Sequence, residues 1–379
     1  MTEVGIVGLP QSGKSSLLAA LTGTHMPHSG APGEVHRGVI PIPDERVERL
    51  SEIFKPKKTT HATIQFTDLV GAHGPLKKGE LFTPAQIGHL RDMDLLVLVI
   101  RLFASDAVAH PLNRISPGED LSLFLGECLL ADLAVAEKRL ERIEGDLRKG
   151  GAGKKKDDLE VEKAGLLAIK HAIEEERPVL SVELTPQQRA MYRGFGFLTG
   201  KKIILVVNSG DLNSTEETER LAALKQESEG WNRKCAAWGL PEPFAVNARL
   251  ELELREMVGG ENLEGEEALE YFHEVGLESS SRKEMIRHAY ASLGLVSFLT
   301  AGEDEVRAWT IPRDCPAPAA AGVIHSDLEK GFIRAEVVGY DDFIRAGSLA
   351  ECRKHGTLRL EGKDYIVKDG DILNIRFSV

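Results

Sequence analysis

The string Gly8-Leu9-Pro10-Gln11-Ser12-Gly13-Lys14-Ser15 constrains this chain more than any other feature. Its spacing, G-x-x-x-x-G-K-[ST], is that of a loop that wraps phosphate. Val4-Gly5-Ile6-Val7 precedes it as an apolar run suited to a buried strand. Ser16-Leu17-Leu18-Ala19-Ala20-Leu21 follows, rich in helix formers with leucines at helical spacing. Strand, glycine loop and helix thus come in the order that phosphate binding requires. Backbone relieved of Cβ atoms can turn its N–H groups inward around phosphate oxygens, and the helix start aims its positive dipole end at the same anion. On this reading Gly8, Pro10, Gln11, Ser12, Gly13, Lys14, Ser15 and Ser16 bind nucleotide. Lys14 reaches the β- and γ-phosphates, and the Ser15 hydroxyl ligates Mg²⁺. Chance alone gives such a string in about one chain in a hundred of this length, before its placement between strand and helix is counted.

A chain of 379 residues exceeds one ordinary core and calls for two or three domains. Its net charge of −12 speaks against a generally basic nucleic-acid binder and leaves room only for a local basic patch; no DNA partner is expected. The start lacks the basic region and long apolar stretch of a signal peptide, and no apolar run approaches about 18 residues, so no membrane span is expected. Cys128, Cys235, Cys315 and Cys352 are far apart and form no C-x-x-C pair, which fits reduced thiols in a cytoplasmic protein.

Thr24 to Gly38 is rich in Gly, Pro and His and reads as a surface loop, the place of the first switch in a P-loop GTPase. Asp44 is an N-cap for a helix carrying Val47, Leu50, Ile53 and Phe54. Thr63 to Thr67 alternates as a strand and ends in Asp68-Leu69-Val70-Gly71, a D-x-x-G. Asp68 there holds Mg²⁺ through water and the Gly71 N–H meets the γ-phosphate. Ala72 follows, where Ras-like enzymes keep a water-orienting Gln. Leu95 to Ile100 is a continuous apolar run, as in a parallel strand buried on both faces.

From Phe124 the pattern changes. Leu129, Leu133, Ala136, Leu140, Ile143 and Leu147 form a heptad seam, and Leu159, Leu166 and Ile173 recur seven apart beyond a glycine-rich break. This predicts an antiparallel helical hairpin with arms of about 25 residues, roughly 37 Å each. Its turn, Arg148 to Lys156, carries five basic side chains and no acidic one, suited either to phosphate-rich RNA or simply to solvent. Lys202 to Val207 returns to strand character and ends in Asn208-Ser209-Gly210-Asp211, an N-x-x-D. Asn208 would brace the loop and contact purine N7, and Asp211 could accept from guanine N1 and N2; an ordinary turn is the alternative. Asn247-Ala248 would give the final base-side loop. Beyond Gly294, strands are expected at Val306–Ile311, Phe332–Val338, Tyr365–Val367 and Ile372–Phe377, around one Ala-rich helix within Pro316 to Ile324.

With these residues in view, the chain resembles the YchF family, Obg-related P-loop ATPases/GTPases that associate with ribosomes. The resemblance spans the whole length. It rests on Gly8 to Ser15, Val39-Ile40-Pro41-Ile42-Pro43-Asp44, Leu129-Leu130-Ala131-Asp132-Leu133, Glu305-Val306-Arg307-Ala308-Trp309-Thr310-Ile311-Pro312, Glu329 to Glu336 and Gly362 to Asp371. It implies a C-terminal TGS domain, a ubiquitin-like β-grasp module. It implies hydrolysis assisted by a histidine on a mobile loop after the strand ending in Arg101. The spacing places His110 there, with His73 as a weaker rival. It implies a preference for ATP over GTP and a ribosomal partner, the large subunit or the whole particle, with contacts to rRNA. The chain departs from the family at Pro32, where the first-switch threonine belongs, at Leu81-Phe82-Thr83-Pro84, and at Asp211, where the family has Glu.

The expected fold is α/β: a P-loop NTPase domain, an inserted helical hairpin (coiled coil) and a C-terminal β-grasp α+β domain. The expected boundaries are 1–123, 124–200, 201–293 and 294–379. The expected function is Mg²⁺-dependent ATP or GTP hydrolysis by a cytoplasmic, ribosome-binding switch, with His110 and Lys14 catalytic. A catalytically weak, nucleotide-stabilised binding module is the alternative. A small-molecule kinase is disfavoured, since no arginine cluster awaits a substrate phosphate.

Overall fold

The apolar run at 95–100 lies inside β5 (Leu95–Arg101), every residue of which is buried. It forms the middle of a six-stranded sheet ordered β2-β4-β1-β5-β6-β7. The strands are β1 (Thr2–Val7), β2 (Val35–Pro41), β4 (Thr63–Leu69), β6 (Lys202–Asn208) and β7 (Phe244–Val246). β5 runs parallel to β1 and β6, and β6 parallel to β7. Their carboxyl ends therefore meet on one edge, the side where such sheets bind ligands. The computed structural model describes residues 2–23, 35–69, 81–105, 108–148, 156–210, 219, 229–257, 266–274 and 280–378. Among them no helix is long and apolar enough to cross a membrane.

Two compact units emerge. One holds Glu3–Gly38 and Gln65–Met285, the other Met1–Thr2, Val39–Ile64 and Ile286–Val379. This division differs from the boundaries expected at 123, 200 and 293. Residues 39–64 belong with the C-terminal part.

In the first unit, α1 (Lys14–Thr22) follows the phosphate-type loop. α3 (Pro84–Asp92) starts with a capping box in which the Thr83 hydroxyl accepts from the Gln86 N–H and the Gln86 side chain answers the Thr83 N–H. The hairpin is α4 (Pro117–Arg148) and α5 (Lys156–Glu174), of 32 and 19 residues, so the arms are unequal rather than about 25 each. The expected start at 124 falls inside α4, whose first turns (Leu121, Phe124, Leu125, Cys128) pack into the same core as Leu96, Leu98 and Ile100. The seam is real: Leu129, Ala136, Leu140 and Ile143 are buried with Leu159, Leu166 and Ile173. Bonds from Arg139 to Glu162, Lys163 to Glu144 and Lys170 to Glu137 fix the antiparallel register. Asp132, fully buried in α4, accepts from the Leu198 N–H, the Thr199 N–H and the Thr199 hydroxyl at 2.9, 2.8 and 2.9 Å.

α6 (Pro186–Tyr192), α7 (Glu229–Trp238), α8 (Ala248–Met257) and α9 (Glu266–Glu274) complete this unit with the start of α10 (Ser281–Leu293). Glu251 of α8 is buried and accepts from the Ser281 N–H at 2.8 Å and the Ser281 hydroxyl at 2.7 Å. Burial pushes its carboxyl from the ordinary 4.5 up to about 7, against the opposing pull of those bonds and of Arg255. The raised value means that between pH 4.5 and 7 the folded protein keeps a proton that the unfolded chain releases. Stability contributed here is complete at low pH and is lost as pH rises through that window, by up to about 3 kcal/mol. Glu251→Gln is expected to flatten this part of a denaturation-versus-pH profile; an unchanged slope would contradict the assignment.

The second unit carries a mixed sheet ordered β11-β10-β12-β8-β9-β3. Its strands are β3 (Lys58–Thr60), β8 (Leu295–Ala301), β9 (Glu305–Pro312), β10 (Phe332–Gly339), β11 (Arg359–Glu361) and β12 (Asp371–Phe377). β8 and β9 form an antiparallel hairpin, and β12 pairs parallel to β8 and antiparallel to β10. α11 (Ala317–Ile324) packs Ala317, Ala320 and Ala321 into the core. Helices α12 (Ser326–Lys330), α13 (Tyr340–Ala346) and α14 (Leu349–Lys354) join it, so more than one helix accompanies the sheet. Tyr365–Val367 is not a strand. Only an isolated bridge, Ile366 to Pro316, forms there, in which the Ala317 N–H donates to the Tyr365 carbonyl and the Val367 N–H to the Cys315 carbonyl; the Tyr365 hydroxyl and the Lys368 N–H turn in to Asp371. Residues 39–64 are built into this unit: β3 pairs parallel to β9, and α2 (Glu45–Phe54) is tied down through Arg46, which binds both its cap Asp44 and Asp369.

Candidate nucleotide site

Between β1 and α1 the chain takes a path that few side chains allow. Gly8 has φ +145°, and a Cβ there would lie 2.3 Å from the Val99 carbonyl oxygen of β5. Gln11 and Gly13 also have positive φ, 61° and 97°. The loop closes through a Ser12 N–H to Leu9 carbonyl bond of 3.3 Å. Lys14 opens α1 and is nearly buried, at 8% exposure. Its Nζ curls back to donate to the Leu9 carbonyl at 2.8 Å. Burial pushes its ammonium below the ordinary value, and the Asp68 carboxylate offsets part of that.

Asp68, near the end of β4, meets Ser15 as the motif order anticipates. The Ser15 hydroxyl donates to Asp68 Oδ2 at 2.6 Å. Asp68 Oδ1 and Ser12 Oγ are buried and hydrogen-bond to nothing among the described residues. Unanswered buried oxygens are costly and call for a ligand. A serine hydroxyl beside a carboxylate with a spare oxygen is hard-oxygen chemistry that suits Mg²⁺.

Asn208 ends β6. Its Nδ2 donates to the Ser12 carbonyl at 3.0 Å, and its Oδ1 accepts from the Gly210 N–H at 3.3 Å. It braces two loops together. The Ser209 N–H is held by the Val246 carbonyl at the end of β7. Asn247 Oδ1 accepts from the Leu250 N–H at 3.0 Å, so it caps α8, and Ala248 is the buried first residue of that helix. Pro10 and Ser16 are half-buried and Gln11 is exposed. Gly71 and Asp211, with Pro32, Ala72, His73, Lys154 and Lys155, lie outside the described residues.

His110 is buried at 8% exposure. Its Nδ1 accepts from the Leu112 N–H at 3.2 Å, which puts the proton of the neutral ring on Nε2, and Nε2 donates to Asp120 Oδ2 at 3.2 Å. Two residues that sequence reasoning passed over organise this region. Arg101, at the end of β5, donates to the carbonyls of Phe103 at 3.0 Å, Val108 at 2.7 Å and Gln11 at 3.5 Å, linking the loop that carries His110 to the phosphate-type loop. Asp120, in the first turn of α4, holds His110 on one oxygen and Arg114 on the other, at 3.1 Å. An arginine closing an otherwise apolar strand was the available signal.

The profile of a family described as "50S ribosome-binding GTPase" matches residues 3–123, and that of the YchF-GTPase C-terminal family, described as a protein of unknown function, matches 295–378. The chain is 36% identical over 381 residues to the ribosome-binding ATPase YchF of Bacillus subtilis, covering 99% of each. It is 36% identical to the protein of that name from Pasteurella multocida, over 100% of this chain and 99% of the other. Among solved structures, the Schizosaccharomyces pombe YchF GTPase superposes with a TM-score of 0.80 at 26% identity, covering 99% of this chain and 97% of that one.

Proposed function

The chain belongs to the YchF family, and from that premise we propose that it is a ribosome-associated, Mg²⁺-dependent P-loop nucleoside triphosphatase that favours ATP. The observation carrying this reading is the preformed cradle: a loop whose shape depends on Gly8 and Gly13, a buried Lys14, and buried oxygens on Ser12 and Asp68 awaiting partners.

Lys14 exchanges the Leu9 carbonyl for the β- and γ-phosphate oxygens, a better partner for a buried ammonium. Ser15 and Asp68 hold the metal, which when bound neutralises charge on the transferring phosphate. The Gly71 N–H meets the γ-phosphate. His110 orients the water that attacks γ-phosphorus as the bond to the bridging oxygen breaks and the diphosphate leaves. Asn208 keeps the base-side loop against the phosphate loop, while Asp211, Asn247 and Ala248 border the base. The basic turn around Lys156 offers the hairpin's contact to rRNA. The site of action is the cytoplasm.

Both His110 nitrogens are engaged, which favours one second reading: a slow, nucleotide-stabilised binding module. Affinities for Mg²⁺-ATP and Mg²⁺-GTP measured side by side, with single-turnover hydrolysis and sedimentation with and without ribosomes, test the proposal. Expected are tighter ATP binding, turnover, and co-sedimentation. No affinity for either nucleotide would end it, tighter GTP binding would reverse the base preference, and binding without turnover would leave the second reading.

A further inference from the structure

Asp120 lies ten positions after His110, yet loop and helix start are folded so that the carboxylate meets the ring. With Nδ1 occupied by the Leu112 N–H and the Nε2 proton given to Asp120, the ring has neither a free lone pair nor a free N–H for a water or a phosphate oxygen. Asp120 itself is fixed from the far side by Arg114, through Oδ1. The loop's base is fixed independently by Arg101, whose guanidinium spans the Phe103 and Val108 carbonyls, reaches Gln11 of the phosphate loop and lies 4.2 Å from the centroid of the Phe103 ring. Arg101 therefore ties the Phe103 and Val108 carbonyls to the phosphate loop, while the His110 ring is bonded to Asp120 and to the Leu112 N–H. Releasing the ring requires breaking one bond to Asp120 and one to a backbone N–H.

We propose that Asp120 is a positioning residue that stores His110 in a non-working orientation, so that hydrolysis waits for the Asp120–His110 bond to open. This rests on the reading of His110 as the group that orients the attacking water. Asp120 acts through His110 and touches no substrate. Buried charge strengthens the hold: a carboxylate in this setting is a stronger acceptor than a neutral amide. Arg114 keeps that carboxylate aimed. The Gln11 contact of Arg101 gives the phosphate loop a route to the latch, because nucleotide seating that shifts the Gln11 carbonyl also loosens the clamp on Val108, two residues from His110.

The test is single-turnover hydrolysis of Mg²⁺-ATP by the full chain, in wild type, Asp120→Asn, His110→Ala and the double variant. The latch predicts that Asp120→Asn hydrolyses about five- to tenfold faster at unchanged nucleotide affinity, because a neutral acceptor holds the ring less tightly. His110→Ala should be slower than wild type, and the double variant should match His110→Ala. A slow His110→Ala with Asp120→Asn no faster than wild type overturns the latch and leaves the role of His110 standing. A His110→Ala as fast as wild type overturns that role, and the latch with it. Should Asp120→Asn fail to fold, ¹⁵N spectra of the wild-type histidines decide. The Nε2–H tautomer of His110 should be present without nucleotide and change with Mg²⁺-ADP and aluminium fluoride; an unchanged signal overturns the latch.

Discussion

Lys14→Ala is expected to lose nucleotide affinity by about a hundredfold or more while the fold keeps its thermal midpoint within a few degrees. The asymmetry comes from where the ammonium sits. In the free protein Lys14 is nearly buried, its charge disfavoured by burial, and among the described residues its hydrogen bond goes to the Leu9 carbonyl of its own loop. Truncation removes that cost along with one bond, so the folded state gains roughly what it loses. A charge-assisted bond to phosphate is different in size, about 1.5–3 kcal/mol for each oxygen reached, and on the proposed reading the ammonium would reach two phosphates. At about 1.4 kcal/mol for each tenfold, losing both accounts for the expected drop. Titration with a fluorescent ATP or GTP analogue reads the affinity, and thermal denaturation without nucleotide reads the fold. Wild-type affinity in a folded variant would remove Lys14 from the phosphate site and with it the assignment of the whole loop.

The parts of this site that local spacing encodes were legible in the sequence. Gly8 to Ser15 is one unbroken string, and its residue types dictate both the backbone path and the lysine. Asp68 was legible as the end of a strand, and its bond to Ser15 is what that order implies. Asn208 was legible as a brace, although its partner, the Ser12 carbonyl, is 196 residues away in sequence and no pattern names it. The misses share a cause: they are pairings made by tertiary structure between residues that look ordinary in their own segments. Asp120 reads as a routine acidic residue in a helix's first turn, where the dipole alone would explain it. Arg101 reads as the polar end of a strand. Lys58-Thr59-Thr60 is too short and too polar to read as a strand, and only its pairing with β9 makes it one. That pairing, with Arg46 on Asp369, carries residues 39–64 into the C-terminal unit. The hairpin's boundary slipped because α4 is one helix with two jobs: its first turns complete the core on the sheet and the rest forms the arm.

Gly13→Ala should cost nucleotide affinity about as much as Lys14→Ala, by a route that a second substitution can expose. Gly13 sits at φ +97°, where an L side chain is strained by about 1–2 kcal/mol, and the added Cβ would lie 2.0 Å from Asn208 Nδ2. Asn208 is the group that must yield, since Gly13 is fixed between the loop and α1. When it moves, its bond to the Ser12 carbonyl breaks and the brace between the loop after β6 and the loop before α1 is gone. Two losses are therefore folded into one methyl group, strain in the cradle and detachment of Asn208, and they separate in a double-mutant cycle. Asn208→Ala alone should weaken binding about tenfold through the lost brace. In that background Gly13→Ala no longer collides with anything, and only the strain remains. The double variant should thus bind clearly better than the sum of the single losses predicts, with a coupling of about 1–2 kcal/mol. Strict additivity would mean that the methyl acts by strain alone and that the contact between the two loops is incidental to holding nucleotide.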